Sequence, residues 1–470
     1  MKDLKVLEET GVIVKFQNSE FCFKGTISMI VSDNLAAHAL GGFMCNFSTV
    51  DRFCRFCTFS KKKSSTKTRT SELTMRTKEG YENNLAAIEI DPSLKSIYGL
   101  KSNSSLNQLA YFHVVNGLPP DIAHDCFEGF AVDLVTSVII YCVKQHFFTL
   151  QEFNTMIEKF PFSQCDKQNK PQIVKIKPLT QYKVKQTACE MWNLLRLLPF
   201  MIGQSIPIGD RIWVTYTEFL DIIERICAPS FLSEDLTYLQ YIIDEFFGNY
   251  LETFEVENLK PKAHFLKHYP LMISLFGPLV KTLRFEAKNG YFKSIVQQTK
   301  NRINICKTMA RRHQILMLLH YQEEQLLESK SPKGISCEEV PIEVFRLEIQ
   351  SLLFNKFESA DNELFVTAKS VIYNGQRYST NEVTILGFAG DEYIFGLIER
   401  VLFHSNKVYI VTNLLHILKF DTHYHAYEVH PSDAYDLRCI DELYDYHPLG
   451  LYYVNNRKLV PLKHYVQEEE

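Results

Sequence analysis

The sequence predicts three kinds of structure in succession: an α/β segment, an all-α block and a small all-β module. The end of a helix at Leu4 to Gly11 followed by the β-branched run Gly25 to Asp33 marks the first. Apolar residues at helical spacing through residues 85–255 mark the second. Short apolar stretches separated by Asn374-Gly375 and Gly390-Asp391 turn signals mark the third.

Composition bounds what the chain can be. At 470 residues it is too long for one ordinary core, so two or three domains are expected. With 46% hydrophobic and 23% charged residues it lies far from the disordered corner of composition space. The net charge of −4 gives no global basic signal, so nucleic-acid contact has to come from local patches. The N-terminus MKDLKVLEET has no apolar h-region, which excludes a secretory signal and predicts an intracellular protein. The longest apolar run, Phe130 to Val143, contains Asp133 and is shorter than the roughly 20 residues a bilayer needs, so no membrane partner is expected. Twelve cysteines in a reducing compartment read as buried thiols, with Cys54 and Cys57 as the exception.

In order along the chain, Gly25 to Asp33 reads as a buried strand that delivers Asp33 at its C-terminal end. Lys61 to Arg76 is basic and Ser/Thr-rich, hence an exposed loop. The segments Glu190–Pro199 and Tyr216–Cys227 typify the helical block. A helix pair follows from Pro261 to about Lys330, its second member running from near Leu283 through Phe292, Ile295, Ile303 and Met309. After a Ser/Pro/Gly break at Ser329 to Ser336, strands are predicted at Leu364–Ile372, Val383–Phe388, Tyr393–Val401 and Val408–Leu414. Their scale suggests a small SH3- or Tudor-like barrel. No internal repeat or heptad pattern is present.

Four features carry chemistry: Asp33, Cys54-Arg-Phe-Cys57, His264-Phe-Leu-Lys-His268 and Glu286. A CxxC turn can offer two thiolates to zinc, and HxxxH on a helix puts two imidazoles on one face. Together they make a Cys₂His₂ set whose halves are about two hundred residues apart, a structural staple with no open catalytic position. The bland alternative is a chance CxxC and two partly exposed helix histidines. Asp33 and Glu286 could pair as carboxylate ligands for Mg²⁺ in phosphoryl transfer. Equally, Asp33 reads as a helix N-cap, and Glu286 as a surface partner of Lys288 or Arg284. A zinc hydrolase is disfavoured because Phe265 stands where HExxH needs its glutamate.

The blocks SDNLAAHALGGF, RFCRFC, GLPPDIAHDCFEG, LKPKAHFLKHYP and LFGPLVKTLRFEAKNGYFK resemble, in order, those of CACTA (EnSpm)-type DNA transposases of animal genomes, over about residues 1 to 325. That family is similar to transposases of the DDE superfamily, whose RNase H-like fold is interrupted by a helical insertion. The resemblance implies that Asp33 is the second catalytic acid and Glu286 the last. It implies that Cys54, Cys57, His264 and His268 hold structural zinc, and that Asp121 and His124 form the DxxH motif of the insertion. His124 reads equally well as a core histidine bonded to Asp121 or Asp125.

On this reading residues 1–60 are a partial RNase H-like core with the CxxC, 61–85 a basic linker and 86–255 the helical insertion. Residues 256–330 are the C-terminal part of the core, 331–361 a linker and 362–470 the β module. Two departures from the family stand out. The first catalytic aspartate, expected on an earlier strand, has no counterpart, since Asp3 falls in a helix. Asn289 also stands where relatives often carry His. The resemblance thus implies an N-terminally truncated remnant that binds transposon-end DNA in the nucleus. The ancestral Mg or Mn would not be retained, and strand cutting and joining would be lost. The alternative is a domesticated, noncatalytic DNA-binding or scaffold protein. An unpaired strand edge in the incomplete sheet would favour pairing with another chain, making a homo-oligomer possible.

Lys288, Lys293, Lys300, Arg302, Lys307, Arg311 and Arg312 form a cationic run suited to phosphate contact with DNA. A solvated helix face is the alternative. The neighbouring Phe285, Tyr291 and Phe292 read as core rather than as base-stacking groups.

Overall fold

A computed structural model describes residues 1–62, 69–255, 259–279, 282–300, 303–322, 332–357 and 364–468, with residues 284, 286 and 287 described by their backbone alone. Among the described residues are fifteen α-helices and two antiparallel sheets. The chain divides into two units. The first comprises Met1–Lys144, Lys177–Met191 and Asp210–Arg284, the second Gln145–Ile176, Trp192–Gly209 and Phe285–Glu470.

The first unit is mainly helical. Helix Lys2–Glu9 is anchored by the buried Glu8, whose carboxylate accepts from Thr26 Oγ1 and, at 2.9 Å, from the Ala110 amide. A hairpin, Val12–Phe16 with Ser19–Phe23, follows in register Val12↔Phe23, and every residue in it is exposed.

Residues Gly25 to Asp33 form no strand, which corrects the sequence expectation. The run is tied by single backbone bonds, Gly25 N to Leu7 O at 3.3 Å and Ile30 N to Gly117 O at 2.9 Å. Its isoleucines, Ile27 and Ile30, are half-buried against the core around Phe43, Tyr81, Leu100 and Leu106. β-branched composition signals a surface to be covered, and here helices and loops cover it rather than a paired strand. Asp33 therefore ends no strand.

Residues Ala123–Phe130 wind as a π-helical turn that continues into helix Ala131–Lys144, with a kink at Gly129 (φ −125°, ψ −105°). A Cβ at Gly129 would lie 2.7 Å from Lys262 Cδ and 2.8 Å from the His124 carbonyl oxygen, so the close approach admits only glycine without displacement. The run Ala123–Lys144 is long and apolar enough to cross a membrane by length and composition, and 61% of its most apolar window is buried. Leu134, Val135, Val138 and Ile139 are fully enclosed, as in a core helix. Helices Arg211–Ile226 and Ser233–Thr253 pack beside it through Phe130, whose ring lies 5.0–5.4 Å from those of Phe219, Phe247 and Tyr250.

The predicted helix pair after Pro261 is four helices: Pro261–Leu266, Tyr269–Phe276, Leu283–Gln298 and Ile305–Gln322. Pro270 opens the second, and Gly277 at φ +71° ends it. The long second member breaks near Thr299, whose hydroxyl turns back onto the Ile295 carbonyl at 2.7 Å.

The second unit carries a ten-stranded antiparallel sheet. Its spine is Glu382–Ala389, Glu392–His404, Lys407–Asp421 and Ala426–Cys439, each paired to the next. Lys333–Pro341 pairs with Leu364–Tyr373, which in turn pairs with Glu392–His404. The SH3- or Tudor-like scale is corrected, since three strands run 13 to 15 residues. Sequence alternation underestimates them because bulges, as between Asn413 and Leu415, reset the pleat while pairing continues. The Asn374-Gly375 turn has φ of +48° and +78°, as a tight hairpin requires. The stretch read as linker at 331–361 holds strand Lys333–Pro341 and helix Leu347–Lys356, whose Ile349 and Leu353 join the core with Phe365 and Val411.

Two short stretches of the presumed helical insertion belong to this unit. Asp166, fully buried, bonds Arg196 Nη1 at 3.1 Å and accepts from the Tyr452 hydroxyl at 2.6 Å. Arg196 Nε in turn donates to the Leu462 carbonyl at 3.0 Å.

Candidate metal centre

The loop Phe53–Phe59 is shaped by two buried arginines. Arg76 donates to the carbonyls of Cys54 (2.8 Å), Tyr98 (2.8 Å) and Arg52 (3.1 Å). Arg55 points the other way, to the carbonyls of Leu118 (3.2 Å) and Pro119 (3.1 Å) and to Asn34 Oδ1 (2.7 Å). With the backbone so held, the Phe56 amide donates to Cys54 Sγ at 3.3 Å, and both sulfurs turn inward. His264 sits in helix Pro261–Leu266, and His268 at the start of Tyr269–Phe276, so a helix junction rather than a continuous helix separates the two imidazoles.

The four side chains converge. Cys54 Sγ lies 3.4 Å from His268 Nε2, Cys57 Sγ 3.3 Å from His264 Nε2, and the two Nε2 atoms 3.3 Å apart. All four ligand atoms fall within 4.8 Å of one another, and all four residues are buried. A tetrahedral zinc with ordinary bond lengths would place N and N about 3.3 Å apart and S and N about 3.6 Å apart, so the set fits the ion with shifts of a few tenths of an ångström. Cys54 and Cys57 are free thiols.

The surroundings are dry and aromatic. Phe53 and Phe59 rings lie 5.2 and 4.8 Å from His264, and Phe56 lies 5.1 Å from His268. Burial alone would push the Cys54 thiol up, yet the Cys57 hydrogen bond and the two imidazoles bring it well below its ordinary value. Cys57 is raised by the bond to Cys54 and by burial, and a bound metal would displace its proton. Burial holds His264 below the usual imidazole value, in the neutral form a metal takes. A buried thiolate and imidazole set of this kind can hold zinc with all four positions filled by protein, which suits a structural role.

Asp33 is exposed and caps helix Asn34–Leu40, its Oδ1 accepting from the Ala36 amide at 2.7 Å. It borders a cavity of about 670 Å³, also lined by His124, Glu128, Lys61 and Lys262. His124 Nδ1 lies 2.5 Å from Asp121 Oδ2, and Thr282 Oγ1 donates to the same oxygen at 2.7 Å. Burial would raise Asp121, but these bonds outweigh it and hold the carboxyl below its ordinary value. Glu286 lies in helix Leu283–Gln298, and its side chain is outside the described residues.

Among the cations, Lys288, Lys293, Lys300, Lys307, Arg311 and Arg312 are exposed, while Arg302 lies outside the described residues. Lys288 Nζ sits 4.6 Å from the Tyr291 ring centre. Tyr291 and Phe292 are half-buried and meet the His313 ring at 5.9 and 5.6 Å, whereas Phe285 is exposed.

No protein-family model, curated protein or solved structure matches this chain.

Sequence reasoning missed Arg55, and named Asp125 only as an alternative partner of His124. Asp125, fully buried, accepts from Asn34 Nδ2 at 2.5 Å and the Tyr269 hydroxyl at 3.1 Å. Burial raises its carboxyl to about 6, against the pull of Arg55. The signal was an arginine inside an apolar CxxC and a second acid directly after DxxH.

Proposed function

We propose that this chain is a transposon-derived protein of the CACTA type whose helical unit is stapled by zinc, and which binds DNA without cutting and joining strands. The observation that supports it is the convergence of Cys54 and Cys57 with His264 and His268 across more than 200 residues of chain. The Asp121–His124 contact adds to it. These residues occur in the order that the transposase resemblance assigns to them.

In such a protein the first unit would descend from an RNase H-like core. Among the described residues the first unit has only the hairpin as sheet, so the likeness rests on its zinc-stapled helical part. In such a protein the zinc would hold the CxxC loop against the His264–His268 junction. The exposed cations of Leu283–Gln298 and Ile305–Gln322 would contact phosphates. Asp33 spends its carboxylate on a helix cap, which favours the noncatalytic reading, a domesticated nuclear DNA-binding or scaffold protein. Two-metal phosphoryl transfer calls for carboxylates aimed at a pair of Mg²⁺ ions about 4 Å apart.

The test is a gel-shift titration of the zinc-loaded chain with duplex DNA at several salt concentrations, beside a variant with Lys293, Lys307, Arg311 and Arg312 changed to alanine. The expected result is binding that weakens as salt rises, with a shallower log–log slope in the variant. Absence of binding at low salt, or an unchanged slope, would overturn the DNA-binding reading. A parallel Mn²⁺ incubation is expected to leave the DNA uncut.

A further inference from the structure

The second unit contains another group of metal-ligating side chains, which neither the zinc staple nor the DNA-binding reading uses. Asp445 and His447 lie in the loop between the short turn Ile440–Glu442 and strand Leu449–Gly450. His464 lies in the tail that follows strand Arg457–Val460. Asp445 Oδ1 is 3.0 Å from His447 Nδ1, and its Oδ2 is 3.2 Å from His464 Nε2. The two imidazole rings face edge to plane at 4.9 Å. One ligand atom from each residue falls within 4.8 Å of the others.

We propose that Asp445, His447 and His464 form a second metal site, distinct from the Cys₂His₂ centre, that takes one divalent first-row transition ion of the zinc and cobalt class. Two imidazoles with one carboxylate suit such an ion, whereas Ca²⁺ and Mg²⁺ favour oxygen-only surroundings. Metal bonds of about 2.0–2.2 Å need ligand atoms roughly 3.3 Å apart. Each imidazole lies that close to one of the two Asp445 oxygens, and one donor from each of the three residues falls within 4.8 Å of the others.

Hydrogen bonds tie down the framework around the three residues. Lys463 Nζ donates to the Pro448 carbonyl at 2.7 Å, and the Tyr444 hydroxyl to the Gln467 carbonyl at 2.7 Å. Tyr393 OH donates to Val466 O at 2.7 Å, and Tyr378 OH to Tyr446 O at 2.9 Å. Loop and tail are thereby held in register on both sides of the triad, so an ion would find its ligands placed rather than having to order them. Asp445 and His464 are buried at 5% and 4% exposure, while the His447 side chain is half-exposed. Three protein ligands leave a four-coordinate ion one position for water or a small anion, and His447 gives that position a route to solvent. In this respect the site differs from the closed centre of the first unit.

The experiment uses the full chain, freed of metal by chelator dialysis and titrated with Co²⁺. Wild type is compared with Asp445→Asn, His447→Ala and Cys54→Ser, with circular dichroism as the check on folding. Thiolate coordination gives a strong near-ultraviolet charge-transfer band that imidazole and carboxylate coordination does not, so the two sites are read separately. Wild type is expected to bind two equivalents. Asp445→Asn and His447→Ala are each expected to bind one, with the thiolate band intact, and the exposed position of His447 makes its variant the one least able to disturb the fold. Cys54→Ser is expected to lose the band and keep one equivalent. A wild-type stoichiometry of one, fully accounted for by the thiolate band, would overturn the proposal and leave an imidazole–carboxylate–imidazole hydrogen-bond bridge in its place. So would a full two equivalents in both the Asp445 and His447 variants. Metal without any thiolate band that is lost in His447→Ala would uphold this site and sink the Cys₂His₂ centre instead.

Discussion

Arg55 Nη1 donates to Asn34 Oδ1 at 2.7 Å, joining the loop that bears the two cysteines to the helix that begins at Asp33. The same Asn34 donates to Asp125 at 2.5 Å, so the cysteine-bearing loop, helix Asn34–Leu40 and the DxxHD segment share one buried polar chain. Arg55 is 1% exposed. Replacing it by leucine leaves Asp125 and two loop carbonyls without their cation, and removal of one partner from a buried charged network typically costs about 3–5 kcal/mol. Arg55→Leu should lower stability by that order and weaken zinc retention in the same preparation. Denaturant unfolding checks it, and a loss under about 1 kcal/mol would show that the network carries little.

Removal of zinc should loosen the first unit while leaving the sheet of the second largely intact, because all four ligands belong to the first. Chelation is expected to give a separate, lower-temperature unfolding transition in calorimetry, reversed by added zinc. His268→Ala should give the same lowered transition without chelator, since its ring lies within 3.4 Å of both Cys54 Sγ and His264 Nε2. A single transition unmoved by chelator would count against the staple.

Gly129→Ala should destabilise the first unit by about 1–3 kcal/mol, the usual cost of forcing a methyl group into filled space. The obstacle includes the His124 carbonyl oxygen at 2.8 Å, which is backbone and cannot swing aside as Lys262 can. The displacement would reach the Asp121–His124 contact, so the chemical shift of the His124 ring is the sensitive readout. A neutral substitution with unchanged shifts would mean that the kink relaxes freely.

Asp166 predicts how the second unit answers acid. Burial by itself would raise its carboxyl, but the charges of Arg196 and Lys463 and the Tyr452 hydroxyl prevail and hold it well below the usual carboxylate value. A depressed folded-state pKa contributes stability that is present above the unfolded value of about 3.9 and is lost as pH falls from there toward the folded value. Asp166→Asn should therefore flatten the acid limb of the stability profile below about pH 4. At neutral pH it should cost about 3–5 kcal/mol, because Arg196 is left buried without its counter-charge. Parallel acid limbs in the two proteins would refute the assignment.

The metal ligands were legible as residue types because thiolate and imidazole donors come in short local spacings, CxxC and HxxxH, that a single turn of chain defines. The Glu286 side chain and Arg302 lie outside the described residues. The Gly25 to Asp33 run misled because β-branched residues report burial, and burial against helices looks the same in sequence as burial in a sheet. Asp33 read equally as a strand-end acid or a cap, and its 2.7 Å bond to the Ala36 amide selects the cap.

Local chemistry let the sequence by itself determine the tight turns at Asn374-Gly375 and Gly390-Asp391, the starts of the strands at Leu364, Glu382 and Glu392 to within a residue, and helices Ala188–Ile202 and Arg211–Ile226 of the central block. Each depends on dihedral preferences and apolar spacing within a dozen residues. Strands Gln376–Ser379 and Ala426–Cys439, by contrast, were not anticipated. Only the tertiary structure decided that Cys54 and Cys57 meet His264 and His268, that Arg55 reaches Asn34, and that residues 145–176 and 192–209 join the sheet-bearing unit. Those outcomes turn on pairing between groups tens to hundreds of positions apart. The desolvation of a buried charge or thiolate is offset only by a partner that no local pattern names.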